Sequence, residues 1–275
     1  MSTIVSEAAV EFSHVSLAFD DHVVFRDVSF SIPKGAMRIL LGESGTGKSI
    51  LLKLILGLMR PDVGAIMVNG QQVDHMPERD LLKVRTDIGM VFQENALFDS
   101  MTVAENVGYR LSEDAGLSGG EVDARVEEVL GFVGLSEFVD RLPAELSGGQ
   151  RRRVAIARAM APEPGLLLYD DPITGLDPII AMTIDNEILK LRDLKHVTSI
   201  LVTHQLRDAF YIATHEAVRQ NGHLQFIGAD PDKLTEVEFM VLHEGRIHFR
   251  GSAAELLQST DPYLKSYLLK TLPPW

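Results

Sequence analysis

The stretch Gly42-Glu43-Ser44-Gly45-Thr46-Gly47-Lys48-Ser49 matches the phosphate-loop pattern G-x-x-x-x-G-K-[ST] at every fixed position. Its glycines let successive backbone N–H groups converge on phosphate oxygens, because no Cβ stands in the way. Lys48 supplies a point charge for the outer phosphates, and the Ser49 hydroxyl can ligate Mg²⁺. A second stretch, Leu166-Leu-Leu-Tyr-Asp170, is an apolar run ending in an acid that can hold Mg²⁺ beside such a loop. Asp171 follows and points to another face, where it can polarise a water attacking the γ-phosphate. These residues predict a chain that binds a nucleoside triphosphate with Mg²⁺.

Chemistry of this kind needs elements that aim it. The apolar run Met37–Leu41 reads as a strand and Ile50–Met59 as a helix, an order that directs a helix N-terminus at an anion. Val10–Phe19 and Val23–Ile32 read as strands around the turn Asp20-Asp21-His22, and Ala65–Val68 with Asn69-Gly70 as part of a further hairpin. This predicts an antiparallel β portion at the N-terminal end. Ile88–Phe92 is another short strand. From Thr102 to Leu142 the period turns helical, with Val122, Val126, Val129, Leu130 and Val133 at three- and four-residue steps. Gly148–Ala161 and Ile180–Leu191 read as helices, Leu166–Tyr169 and Thr198–Thr203 as buried strands. Alternation of strands and helices predicts an α/β fold with a mainly parallel sheet covered on both faces.

Near the C-terminus Val218, Gly222, Leu224, Phe226, Gly228 and Leu234 recur in spacing as Val241, Gly245, Ile247, Phe249, Gly251 and Leu257. Each copy reads as a strand, a glycine turn (Asn221-Gly222, then Glu244-Gly245) and a second strand. Local duplication and shared turn chemistry of two hairpins in one sheet both account for this.

Composition narrows the partners. A net charge of −13 disfavours broad binding to nucleic acid or to an anionic lipid surface. The run Arg151-Arg152-Arg153 reads as a solvated helix start. Without cysteine there is no disulfide, thiol catalysis or cysteine-ligated zinc, which fits a cytoplasmic setting. No run approaches the roughly 18 apolar residues of a membrane span, and Met1-Ser-Thr-Ile-Val-Ser-Glu carries no secretory pattern.

With Leu146-Ser147-Gly148-Gly149-Gln150 placed ahead of the Asp170 strand, the chain resembles the nucleotide-binding subunit of an ABC transporter from Val10 to Leu257. The resemblance implies a P-loop NTPase (RecA-like) core with an N-terminal antiparallel β subdomain and an α-helical subdomain at about 100–145. It implies one ABC ATPase domain over 1–275, with an extra hairpin at about 215–238 and a helical tail at about 253–275. It implies ATP and Mg²⁺ as cofactors, held by Gly42, Glu43, Ser44, Gly45, Thr46, Gly47, Lys48, Ser49 and Ile50. Ser49, Asp170 and the Q-loop residue Gln93 are the implied metal contacts, and Gln93 also touches the membrane subunit. Ser147, Gly148, Gly149 and Gln150 form the implied signature motif, Asp177 of Thr174-Gly-Leu-Asp177 lies in the D-loop, and Phe19 stacks on adenine. Lys48, Asp171 and the switch residue His204 are the implied catalytic groups. Leu117-Ser-Gly-Gly-Glu121 spells the signature a second time. No apolar strand ending in Asp follows it at the proper distance, so it reads as a loop and helix start, with Ser118 or Gly119 near the N-cap and Glu121 in the first turn.

Within the family, Phe92–Asn106, Thr203–Phe210 and Asp261-Pro-Tyr-Leu-Lys265 resemble the Mla/Mce-type lipid-trafficking ATPases. That likeness implies an ATPase coupling hydrolysis to phospholipid transport, as a head-to-tail homodimer peripheral on the cytoplasmic face of the inner membrane. Its partners would be permease subunits, an Mce lipid-binding protein and a STAS-domain regulator, with no nucleic acid. An importer or exporter ATPase for another substrate, or a slow regulatory ATPase, is the alternative. A soluble ATPase acting on DNA or the ribosome would bring a coiled-coil insertion or tandem nucleotide domains, and neither is visible. Two departures stand out: Asp171 replaces the common glutamate, leaving open an ordinary or a slow base, and His215–Glu238 is extra.

Overall fold

The structure is a computed structural model that describes residues 7–113, 116–220, 222–230 and 233–271. In chain order its elements are β1 (Ala8–Phe19), β2 (His22–Pro33), β3 (Met37–Leu41), α1 (Lys48–Ile55), β4 (Val63–Val68), β5 (Gln71–Gln72), α2 (Glu78–Thr86) and β6 (Ile88–Val91). There follow α3 (Val103–Ser112), α4 (Gly119–Phe132), α5 (Gly148–Met160), β7 (Leu166–Asp170), α6 (Pro178–Lys195), β8 (Thr198–Val202) and α7 (Leu206–Thr214). The chain closes with β9 (His215–Gln220), β10 (His223–Gly228), β11 (Val237–His243), β12 (Arg246–Gly251), α8 (Ala253–Gln258) and α9 (Pro262–Thr271).

The central sheet has six strands in the order β12-β11-β3-β8-β7-β6. Neighbours from β11 to β6 run parallel, and β12 adds an antiparallel edge. Alternation along each strand divides the core in two. Ile39, Leu167, Leu201 and Val241 face the layer built on α3 to α7, whereas Leu40, Leu168, Ile200 and Leu242 face α1 and the antiparallel sheet. Strands covered on both faces must be apolar throughout, and β3 and β8 are buried at every residue. The antiparallel sheet, ordered β2-β1-β4-β5, packs Phe12 against Phe30 with ring centroids 4.6 Å apart. The expected α/β architecture with its mainly parallel sheet and N-terminal antiparallel portion is the one observed.

Differences from the expected elements have local causes. Helix α1 begins at Lys48, on the phosphate loop itself, and stops at Ile55 because Gly57, at φ 62°, turns the chain. Helix α6 starts at Pro178, behind the cap of Asp177, and runs on to Lys195. The two similar C-terminal segments are both hairpins, but not of one sheet. β9–β10 form a separate two-stranded sheet, whereas β11 joins the central sheet beside β3. Within the segment expected as an extra hairpin at about 215–238, only His215–Gly228 forms that hairpin. Val237 and Glu238 pair with Met37 and Arg38 in the central sheet. Asn221 of its turn lies outside the described residues, as do residues 1–6 and the end of the C-terminal tail.

Candidate nucleotide-binding site

The phosphate loop leaves the end of β3 and enters α1 at the middle of the central sheet. Gly47 occupies φ 98°, and a Cβ there would lie 2.6 Å from Val24 Cγ1, so neither the conformation nor the space admits a side chain. Lys48 is buried, and its ammonium donates to the carbonyls of Gly42 at 2.8 Å and Glu43 at 2.9 Å. Burial pulls its pKa down, while the carboxylates of Asp171 and then Asp170 oppose the shift. The Thr46 hydroxyl donates to the Glu43 carbonyl at 2.9 Å and closes the loop. Glu43, Ser44 and Gly45 are exposed at its rim, and Ile50 rests partly buried against the core.

Ser49 and Asp170 meet. The Ser49 hydroxyl donates to Asp170 Oδ1 at 2.8 Å across the space between α1 and the end of β7. Burial pushes the Asp170 carboxyl up, the Ser49 hydrogen bond draws it down, and Asp171 pushes it further up. A cation between them would relieve this crowding of negative charge, and hard oxygen donors of this kind suit Mg²⁺. Asp171, the next residue, takes φ 45°, and its N–H donates to the Val202 carbonyl at 2.9 Å. Its Oδ1 lies 2.9 Å from His204 Nδ1 and accepts from the His204 N–H at 3.3 Å. The end of β8 thus delivers His204 to the carboxylate at the end of β7.

The remaining expected residues are placed less directly. Phe19 ends β1 and is 44% exposed, unlike Phe12 and Phe25, which are core. It does not line the cleft of about 530 Å³ that borders Ser44, Gly45 and Thr46 together with His22, Arg26 and His243. The Gln93 side chain is exposed, and no hydrogen bond among the described residues joins it to Ser49 or Asp170. Ser147 caps α5 by accepting from the Gln150 N–H, while Gln150 Oε1 accepts from the Ser147 N–H at 2.8 Å. Asp177 caps α6 by accepting from the N–H groups of Ile179 and Ile180 at 3.1 Å each.

The two copies of the signature spelling are locally alike and differ in their surroundings. Ser118 caps α4 in the same reciprocal way, with Glu121 in the partner position, as the sequence predicts. A Cβ on Gly119 or Gly120 would meet nothing within 4 Å. A Cβ on Gly149 would lie 2.2 Å from Ile180 Cγ2, so the Leu146–Gln150 copy is packed against the D-loop helix.

Two groups of residues went unread in the sequence. The run Arg151–Arg153 is not a solvated helix start. Arg151 donates to the Leu146 carbonyl at 2.5 Å, Arg152 to the Phe92 and Gln93 carbonyls, and Arg153 to the Val133 carbonyl at 2.9 Å. Each charge is spent on a carbonyl that lacks a partner inside a helix or strand, which a charge run alone does not signal. Tyr267 of α9 is buried with its hydroxyl near the Gly42 backbone. Burial pushes that hydroxyl up, and the nearby charges of Glu43 and Asp171 push the same way.

A strand, phosphate loop and helix with an acid at the end of β7, one strand beyond β8 in the same parallel sheet, define a P-loop nucleotide-binding protein. The family described as ABC transporter matches residues 25–174. The chain is 39% identical over 223 residues to the Fe(3+) ions import ATP-binding protein FbpC of Escherichia coli, covering 81% of this chain and 62% of that protein. It is also 39% identical over 224 residues to the sulfate/thiosulfate import ATP-binding protein CysA of Mycobacterium bovis, covering 82% and 62%. Among solved structures it resembles the ATP-binding cassette MJ0796, in a dimeric post-hydrolysis state bound to ADP and Pi, with a TM-score of 0.73 and 28% identity over 88% of this chain and 98% of that one. The chain belongs to the ABC transporter family, as an ATP-binding subunit whose cofactors are ATP and Mg²⁺. It spans 62% of the length of each of these two curated relatives. Both are importers of iron or sulfate, not phospholipid-trafficking ATPases.

Proposed function

We propose that this chain is the ATP-hydrolysing subunit of an ABC transporter of the importer kind, acting through separate membrane subunits on the cytoplasmic face of the membrane. The observation that carries the reading is the convergence of two pairs, Ser49 with Asp170 and Asp171 with His204, beside the buried ammonium of Lys48. Lys48 turns from its loop carbonyls to the outer phosphates, and the loop amides hold the rest of the triphosphate. Ser49 and Asp170 would hold Mg²⁺, with Gln93 as a further contact in this reading, and the ion would supply neutralisation of phosphate charge. Asp171 takes a proton from the attacking water, and His204 fixes the direction of that carboxylate. Phe19 is free at the end of β1 to stack on adenine.

No hydrogen bond among the described residues links Ser147–Gln150 to Lys48 of the same chain. In this reading the signature serves a second copy, in a head-to-tail dimer where Ser147 and Gly149 meet the phosphate held by the other chain, with Asp177 at the same boundary. The dimeric state of MJ0796 supports this arrangement. Phe92, Phe98 and Tyr109 are exposed beside Gln93, with the Phe98 and Tyr109 rings 4.8 Å apart, and this apolar patch suits a docking segment of a membrane subunit. Among the described residues no helix is long and apolar enough to cross a membrane.

The iron and sulfate relatives favour an importer of a small solute over the phospholipid reading. The lipid reading keeps one observation of its own, the likeness of Phe92–Asn106 and Thr203–Phe210 to Mla/Mce-type ATPases. Purification of the intact complex in mild detergent decides between them. A permease with a solute-binding protein supports the first, and a permease with an Mce protein and a STAS-domain regulator the second. Absence of Mg²⁺-dependent ATP hydrolysis by the purified dimer would overturn both.

A further inference from the structure

Four carbonyls of the loop after β6 are gripped by two arginines of a single helix, α5. Arg152 donates from Nη1 to the Phe92 carbonyl at 2.5 Å and from Nη2 to the Gln93 carbonyl at 2.6 Å. Six residues further on, Arg158 donates from Nη1 to the Ala96 carbonyl at 2.7 Å and from Nη2 to the Asn95 carbonyl at 3.2 Å. Its guanidinium also lies 5.8 Å from the centre of the Phe98 ring.

This grip is costly to maintain. Arg152 is 3% exposed, its Nε has no hydrogen-bond partner, and among the described residues no carboxylate lies within ion-pair distance of it, the charge of Asp171 reaching it only from further off. A buried guanidinium without an ion pair is retained only where its hydrogen bonds are needed. The loop it holds is strained as well. Asn95 sits at φ 65° and Ala96 at φ 49°, and alanine has no polar side chain to offset the left-handed conformation. Strained residues persist only where their surroundings over-determine them.

The geometry has a specific consequence for Gln93. The Phe92 carbonyl belongs to the peptide plane before the Gln93 Cα, and the Gln93 carbonyl to the plane after it. With the oxygens of both planes held by one rigid fork, the backbone dihedrals of Gln93 are restrained, and with them the direction of its Cα–Cβ bond. A lysine ammonium can reach two successive carbonyls, as Lys48 does, but its freely rotating donors do not set the orientation of one carbonyl relative to the other as a planar fork does. We propose that Arg152, supported by Arg158, is a positioning residue that aims Gln93 at the nucleotide site without touching nucleotide itself. The proposal rests on the reading of Gln93 as a contact of the Mg²⁺–ATP site. It also ties that contact to the helix whose first turn is the signature, so both elements share one anchor.

The test is a double-substitution cycle on the full-length dimer, following ATP hydrolysis against free Mg²⁺. Arg152→Gln should lower kcat by about tenfold or more, the scale of a displaced catalytic contact, and should raise the Mg²⁺ needed for half-maximal rate. Gln93→Ala should show both defects. The pair Gln93→Ala with Arg152→Gln should be no slower than Gln93→Ala alone, within about twofold, because the two act through one contact. Arg152→Lys, which keeps the charge and loses the fork, should resemble Arg152→Gln and takes its place in the cycle if the glutamine variant does not fold. A combined loss equal to the product of the single losses, or full activity in Arg152→Lys, would overturn the proposal. If Gln93→Ala alone is fully active while Lys48→Ala is not, the reading of Gln93 fails and this proposal with it, whereas the nucleotide site itself stands.

Discussion

Asp171 and His204, 33 residues apart, lie within hydrogen-bond distance through Oδ1 and Nδ1 at 2.9 Å, with Asp171 in the left-handed region at φ 45°. Aspartate and asparagine tolerate that region better than longer side chains do. The shorter acid therefore comes with its own backbone conformation and its own histidine partner. We expect Asp171→Asn to keep this backbone, bind ATP, and lose hydrolysis by about 10²-fold or more, since the proton acceptor is gone. Steady-state hydrolysis combined with size-exclusion in ATP checks it, and the variant should run as a stable dimer. Undiminished hydrolysis would remove Asp171 from the catalytic role.

Asp171→Glu adds a methylene to a carboxylate already engaged with His204. Its reach is that of the commoner residue, but a longer side chain at a left-handed position bears a backbone cost of about 1 kcal/mol. We expect turnover equal to or above that of the parent, with a lower melting temperature. Turnover tenfold or more below the parent would show that this site is built for aspartate.

The two signature-like stretches can be separated by stability alone. Gly149→Ala forces a methyl group to 2.2 Å from Ile180 Cγ2, and overpacking of this kind costs about 1–3 kcal/mol. Gly120→Ala meets nothing within 4 Å and should be neutral or stabilising by up to about 1 kcal/mol from helix propensity. Denaturant unfolding of the two variants measures both. Equal effects would mean that α5 and α6 are not packed as described.

Pairing in trans predicts rescue between two dead chains. Lys48→Ala lacks the phosphate contact, and Ser147→Arg lacks the signature contact and the α5 cap, the latter worth about 1 kcal/mol. Mixed, they form dimers in which one composite site is intact, so part of the activity should return. No recovery at any mixing ratio would place the signature in service of its own chain.

A pH dependence follows from α6 and α7. Asp185 and Asp208 are both buried, and the Asp185 carboxyl is pushed up to about 8 by burial and by Asp208, with Arg207 opposing. Folding thus retains a proton that the unfolded chain releases above about pH 3.9. The unfolded state binds fewer protons, so this contribution is complete at low pH and declines as pH rises towards and through about 8. Asp185→Asn should flatten the fall in melting temperature between about pH 5 and about pH 9. An unchanged slope would show that Asp185 does not retain this proton.

What the sequence alone determined is local. The phosphate loop, the acid at the end of β7 and the N-cap at Ser118 depend on residues within a few positions of one another. Their chemistry is therefore written in spacing, and β3 appears with the bounds read for it. The tertiary structure decided which partners those residues meet. Arg152 sits in a charge run compatible with water, and it is buried because the loop after β6 folds back over α5 and offers it carbonyls. Gly149 and Gly120 belong to the same spelling, and only the approach of Ile180 distinguishes them. Val218 and Val241 occupy matching positions of two similar hairpins, yet only the second lies beside β3, whose free edge one strand can fill. Sequence spacing records periodicity and turn chemistry, whereas contacts between distant segments depend on which surfaces can close against each other without voids or unpaired carbonyls.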